Sequence, residues 1–134
     1  MLFPKKVKYR KQQKGRIKGK ESRASELAFG SFGLKSLEAK RISSNQLEAA
    51  RRAILRYFKK GGKLWIRIFP DHAVTSKGTE FSMGGGKGDV AYYCFFVKPG
   101  RVILEIDGIK EDLAKEALKM AAAKLPVKTK IIKK

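Results

Sequence analysis

The chain has 134 residues, and its 32 Lys and Arg against 12 Asp and Glu give a formal net charge of +20. That charge on a small globule costs self-repulsion unless a polyanion neutralises it, while a hydrophobic content of 43% is ordinary for a domain with its own core. One cysteine (Cys94) and one histidine (His72) exclude an internal disulfide and a Cys/His zinc site, and neither a membrane span nor a secretory apolar stretch is present.

The first twenty residues, MLFPKKVKYRKQQKGRIKGK, carry nine Lys or Arg and no acid; Glu21 is the first carboxylate. Such a run repels itself and needs an anionic surface to order it. The apolar residues set into it (Phe3, Pro4, Val7, Tyr9, Ile17) describe an arm that packs as well as pairs, with a phosphate-rich polymer, RNA foremost, as its partner. We therefore expect a basic arm over 1–22 and a single domain over 23–134, a size that fits one core.

Beyond the arm, Leu27–Leu34 (LAFGSFGL) has strand or loop character, with Phe29 and Phe32 available as anchors. Ser43 and Gln46 form a capping box that starts a helix. Leu47, Ala50, Ile54, Tyr57 and Phe58 recur at helical spacing, and Gly61-Gly62 ends the run. Arg51, Arg52, Arg56, Lys59 and Lys60 cover much of the remaining face, the footprint of a nucleic-acid binder. Lys63–Phe69 (KLWIRIF) alternates as a strand closed by Pro70, and residues 71–88 form a long connection without periodicity.

Two β-rich runs then flank Lys98-Pro99-Gly100, where Pro presets φ and Gly supplies a positive one; this predicts a hairpin. A second helix is expected over 110–125, with Leu113, Ala117, Leu118, Ala121 and Leu125 as its buried stripe and Pro126 as its stop. Val127–Lys134 alternates weakly and can add a last strand. Two helices interleaved with four or five strands make an α+β sandwich.

MGGGKG (Met83–Gly88) brings backbone amides close to a ligand and can cradle phosphate. It is not a phosphate-binding loop of the nucleotide-hydrolysing kind, because Gly88 rather than Ser or Thr follows Lys87 and a strand comes next. No catalytic constellation stands out. His72 follows Asp71 in what reads as an exposed loop, Cys94 lies among aromatics as a small core residue, and Glu111, Asp112 and Glu116 read as solvated helix residues. The chain reads as non-catalytic and needs no cofactor.

Seven collinear stretches go further: MLFPKKVKYRKQQKGR, FGSFGLKSLE, QLEAARRA, WIRIFPD, MGGGKG, VKPGR and EDLAKEALKMAAAKLPVKTK. Together they closely resemble ribosomal protein sixteen of the large subunit, in its bacterial and organellar form, from Met1 to Lys130. The resemblance implies a two-layer α+β sandwich of α/β-hammerhead type, with two helices, a mixed or antiparallel sheet and a basic N-terminal arm. It implies binding to large-subunit ribosomal RNA near the aminoacyl and peptidyl sites, beside neighbouring ribosomal proteins, in a cytoplasmic or organellar ribosome. No membrane and no second copy of the chain is expected as a partner. By position, Lys5, Lys6, Lys8, Arg10, Lys11, Lys14, Arg16 and Lys18 become rRNA contacts, and Ser82, Met83, Gly84, Gly85, Gly86, Lys87 and Gly88 the loop nearest tRNA. Arg51, Arg52, Arg56, Lys59 and Lys60 join the rRNA set on charge placement alone. The chain departs from the family's Arg-Met-Gly-x-Gly-Lys-Gly loop by carrying Ser82 in the arginine position, and Lys77-Gly78 replaces a usual Lys-Pro pair. Two other classes share the charge: a free RNA-binding factor or chaperone, and a binder of acidic membrane surfaces. Basic residues throughout the chain and the loop's glycines argue against the second.

Overall fold

The computed structural model describes residues 1–12, 15–58, 61–76 and 86–134. In chain order the elements are β1 (Phe32–Ser36), β2 (Lys40–Ser43), α1 (Ser44–Leu55), β3 (Lys63–Ile66), β4 (His72–Ser76), β5 (Asp89–Val97), β6 (Val102–Asp107), α2 (Glu111–Lys124) and β7 (Thr129–Lys133). A four-stranded sheet has the order β3-β6-β1-β7 and a three-stranded sheet the order β2-β5-β4. Their pairings are antiparallel. This is an α+β architecture with more strands than the sequence patterning predicts.

The helices start for local reasons. At α1 the Ser43 hydroxyl accepts from the Gln46 N–H at 3.2 Å, and the Gln46 side chain accepts from the Ser43 N–H at 3.0 Å. The expected capping box is therefore formed, and it satisfies two donors that have no intrahelical partner. The regular helix stops at Leu55, earlier than the double glycine. Tyr57 and Phe58 continue as tight turns, their N–H groups bonding the Ile54 and Leu55 carbonyls. Gly62 then leaves room for Phe58, whose ring lies 2.5 Å from where a Cβ would stand.

In α2 the buried positions are Ala114, Ala117, Leu118 and Ala121. Leu113 is a correction: it is 42% exposed, one residue off the face that carries the alanines. The small side chains let α2 pack closely on α1. α2 packs on β1 and β7 of the four-stranded sheet, and α1 packs on α2 and reaches β2 and β5, so that Leu34, Leu47, Ile54, Leu104, Ile106 and Leu118 share one core.

The predicted hairpin is the main correction. The turn itself forms, with the Arg101 N–H on the Lys98 carbonyl at 3.2 Å and Gly100 at φ 98. Its two strands, however, belong to different sheets. Residues Val102–Ile106 are buried on both faces, so β6 is a central strand and takes β3 and β1 as neighbours. β5 takes β2 and β4. The turn is stitched to the end of β1, where Gly100 donates to the Ser36 carbonyl and Ser36 to that of Arg101, each at 2.8 Å.

Two further expectations change. The 71–88 connection begins with a strand, β4, so His72 lies half-buried in a sheet and not in an exposed loop. β3 ends at Ile66, although Arg67 still donates to the Ile103 carbonyl at 2.9 Å and Ile68 is buried. β2 was not legible as a strand at all. Cys94 is fully buried, as a small core residue should be, and burial pushes its thiol pKa up.

Candidate nucleic-acid interface

The arm lies against the domain. Leu2 packs on the main core, and the N-terminal ammonium sits 4.0 Å from Glu48. From there Lys5, Lys6, Lys8 and Arg10 are exposed, as are Arg16 and Lys18 farther on, while Lys11 is half-buried. An open groove of about 510 Å³ runs between Lys5, Lys6 and Lys8 on one side and Phe69 and Asp71 on the other.

Lys11 and Gln12 then meet the far end of the glycine-rich loop. Lys11 donates to the Lys87 carbonyl at 3.0 Å, Lys87 donates back to the Gln12 carbonyl, and the Gln12 amide reaches the Asp71 carbonyl at 3.5 Å. Two features far apart in sequence thus share one place. Beside them is a cleft of about 280 Å³ lined by Gln12, Arg41, His72, Val74, Thr75 and Lys87. Two of its lining residues share an aromatic neighbour: His72 lies 4.2 Å from the Phe96 ring centre and the Arg41 guanidinium 5.2 Å from it. Burial, with the cations Arg41 and Lys87, lowers the His72 pKa against the opposing pull of Asp71. These influences disfavour the charged imidazolium, and the ring packs beside Phe96.

The α1 cations divide. Arg51 donates to Glu48 from Nε at 2.9 Å and Arg52 from Nε at 3.2 Å, so both are partly occupied within the helix. The Arg51 hydrogen bond, opposed by burial and helped by the charges of Arg51 and the N-terminus, holds the Glu48 carboxyl at about 2. Arg52 and Arg56 remain exposed. Lys14, Lys59, Lys60, Ser82, Met83, Gly84 and Gly85 lie outside the described residues; Gly86, Lys87 and Gly88 are described, with Gly86 at φ 89.

Sequence reasoning missed Gln12, Arg41 and the strand position of His72. Arg41 left only its charge as a signal, since the four residues abutting the helix cap are too short a run to read as a strand. Among the described residues no group of three or more His, Cys, Asp or Glu is placed to hold a metal ion, and no helix is long and apolar enough to cross a membrane.

The arrangement defines a class: a small α+β scaffold that displays a basic extension beside a cleft lined by Arg41, His72 and Lys87, the footprint of a nucleic-acid binder. The particular family follows from comparison. The chain belongs to the ribosomal protein L16p/L10e family, whose model matches residues 4–132. It is 58% identical to the large ribosomal subunit protein uL16 of Rhizobium rhizogenes over 134 residues, covering 100% of this chain and 98% of that protein. The proteins of the same name from Sinorhizobium medicae and Rhizobium etli are 57% and 56% identical over the same shares. All three relatives are named as proteins of the large ribosomal subunit.

Proposed function

We propose that this chain is a structural constituent of the large subunit of a bacterial-type cytoplasmic ribosome. Its rRNA contacts are the arm cations Lys5, Lys6, Lys8, Arg10, Lys11, Arg16 and Lys18, with Arg52 and Arg56 on α1. The observation that carries the reading is similarity along the whole chain to proteins named for the large subunit. The geometry supports it, since Lys5, Lys6 and Lys8 line one groove, Arg41 and Lys87 line a second cleft, and Gln12 borders both.

The phosphate backbone of RNA supplies the counter-charge that +20 requires. Of the glycine-rich loop, Lys87 is the residue bonded to the arm, through Lys11 and Gln12, and we assign the loop to the tRNA side as the family resemblance implies. Sedimentation of the native chain through sucrose gradients tests the reading, at low salt and at about 0.5 M, where screening strips loose electrostatic binders. Stoichiometric retention on the large subunit at both salts is the expected result. Loss to the top of the gradient at high salt would instead make it a free RNA-binding factor.

A further inference from the structure

Away from the arm and cleft, the outer side of the four-stranded sheet carries a second aromatic feature. Leu64 and Ile66 pack on the core, so β3 places Lys63 and Trp65 on the opposite face, with Arg67 continuing the alternation. The segment before β1 drapes over this face, and a buried carboxylate holds it there. Glu105, 0% exposed, accepts from the N–H groups of Ala28, Phe29 and Gly30 at 2.8, 2.9 and 3.0 Å, and Arg67 donates to its other oxygen. Gly30 permits this close approach: a Cβ there would stand 2.6 Å from the Ile106 carbonyl oxygen.

The consequence is an aromatic ring fixed in solvent. Phe29 is 56% exposed although its backbone is pinned at three successive amides. Its ring stacks on Trp65, centroids 5.9 Å apart and 20° from parallel, and the Arg67 guanidinium lies 5.3 Å from its centre. An apolar ring held out by a rigid loop contributes little to the fold, and every nucleobase has a face that stacks on such a ring. Lys63 stands on the same face of β3 as Trp65, and the Glu105 charge is sealed beneath the loop and neutralised by Arg67, so it does not oppose an anion.

We infer that Phe29 and Trp65, with Lys63 on the Trp65 face of β3 and Arg67 at the Phe29 ring, form a stacking platform for one unpaired RNA base, separate from the arm and the cleft. The inference rests on the ribosomal reading above and adds a base contact to its phosphate contacts.

The test uses the full chain and large-subunit particles from which this protein has been stripped by salt. Wild type, Phe29→Leu and Phe29→Tyr are titrated onto the particles, and the complexes are then irradiated with ultraviolet light and the adducts mapped by mass spectrometry. Phe29→Leu keeps apolar bulk but loses the ring, and binding should weaken about tenfold, within the range for one stacked base. Phe29→Tyr should stay within about twofold of wild type, and a nucleotide adduct should appear on the peptide holding Phe29 or Trp65. Wild-type affinity for Phe29→Leu would overturn the platform, as would a cross-link from this patch to another protein. A wild-type chain that does not bind the particles at all would overturn the ribosomal reading and the platform with it.

Discussion

Glu105 is the one fully buried acid in the described core, and every oxygen contact it makes is charge-assisted. Burial alone would raise its pKa. The amides of Gly30 and Phe29, the Arg67 guanidinium and the Ala28 amide outweigh that and leave it lowered. Removing one partner of such an arrangement strands the other, so Glu105→Ala should cost about 3 kcal/mol in denaturant unfolding, the low end for a broken buried pair. A loss under about 1 kcal/mol would mean the loop holds itself. Glu48 makes the complementary case near the surface. Its carboxyl sits at about 2 in the folded chain against an ordinary 4.5. A depressed carboxylate stabilises the fold above its unfolded pKa, and that contribution is lost as pH falls from about 4.5 through about 2. Arg52 is exposed, so screening reduces the benefit to roughly 1 kcal/mol. Glu48→Gln should therefore lower Tm at neutral pH and show no deficit near pH 2, where wild type has lost the same contribution; a constant deficit across pH would contradict the ion-pair account.

At the level of elements, what the sequence made legible was local. The α1 cap needs only residues three apart, and Ser43→Ala should cost about 1 kcal/mol by thermal melting; an unchanged melt would mean the capping box is dispensable. The α2 boundaries and the Lys98-Pro99-Gly100 turn were legible for the same reason. Strand partnership was not, because it is decided by contacts distant in sequence. The run VILEID reads the same whether β6 pairs with β5 across a turn or inserts between β3 and β1. Burial on both faces selects the second, and with it the two-sheet topology. β2 escaped notice because four residues abutting a helix cap offer too short an alternation. Leu113 misled because a large apolar residue outbid Ala114 in the pattern, whereas close packing of α2 on α1 favours the smaller side chain.

For the whole molecule, charge pointed to the arm, and the fold brings the arm to Lys87 at the end of the glycine-rich loop. Gln12, Arg41, His72 and Lys87 are dispersed over 76 positions, and it takes the pairing of both β2 and β4 with β5, together with the arm's path, to bring them around one cleft. No spacing rule could have assembled them. The family relationship supplies the ribosomal setting, and the proposed mode of attachment is that the exposed arm lysines would release counterions from RNA phosphates. Affinity should then depend on salt through those particular lysines. The most direct measurement is the slope of log K against log salt for binding to stripped large-subunit particles, for wild type and for the triple change Lys5→Gln, Lys6→Gln, Lys8→Gln. At about 0.7 to 0.9 per phosphate contact, the variant's slope should be shallower by about two to three. Identical slopes for the two chains would contradict the account, because the arm would then lie away from the RNA.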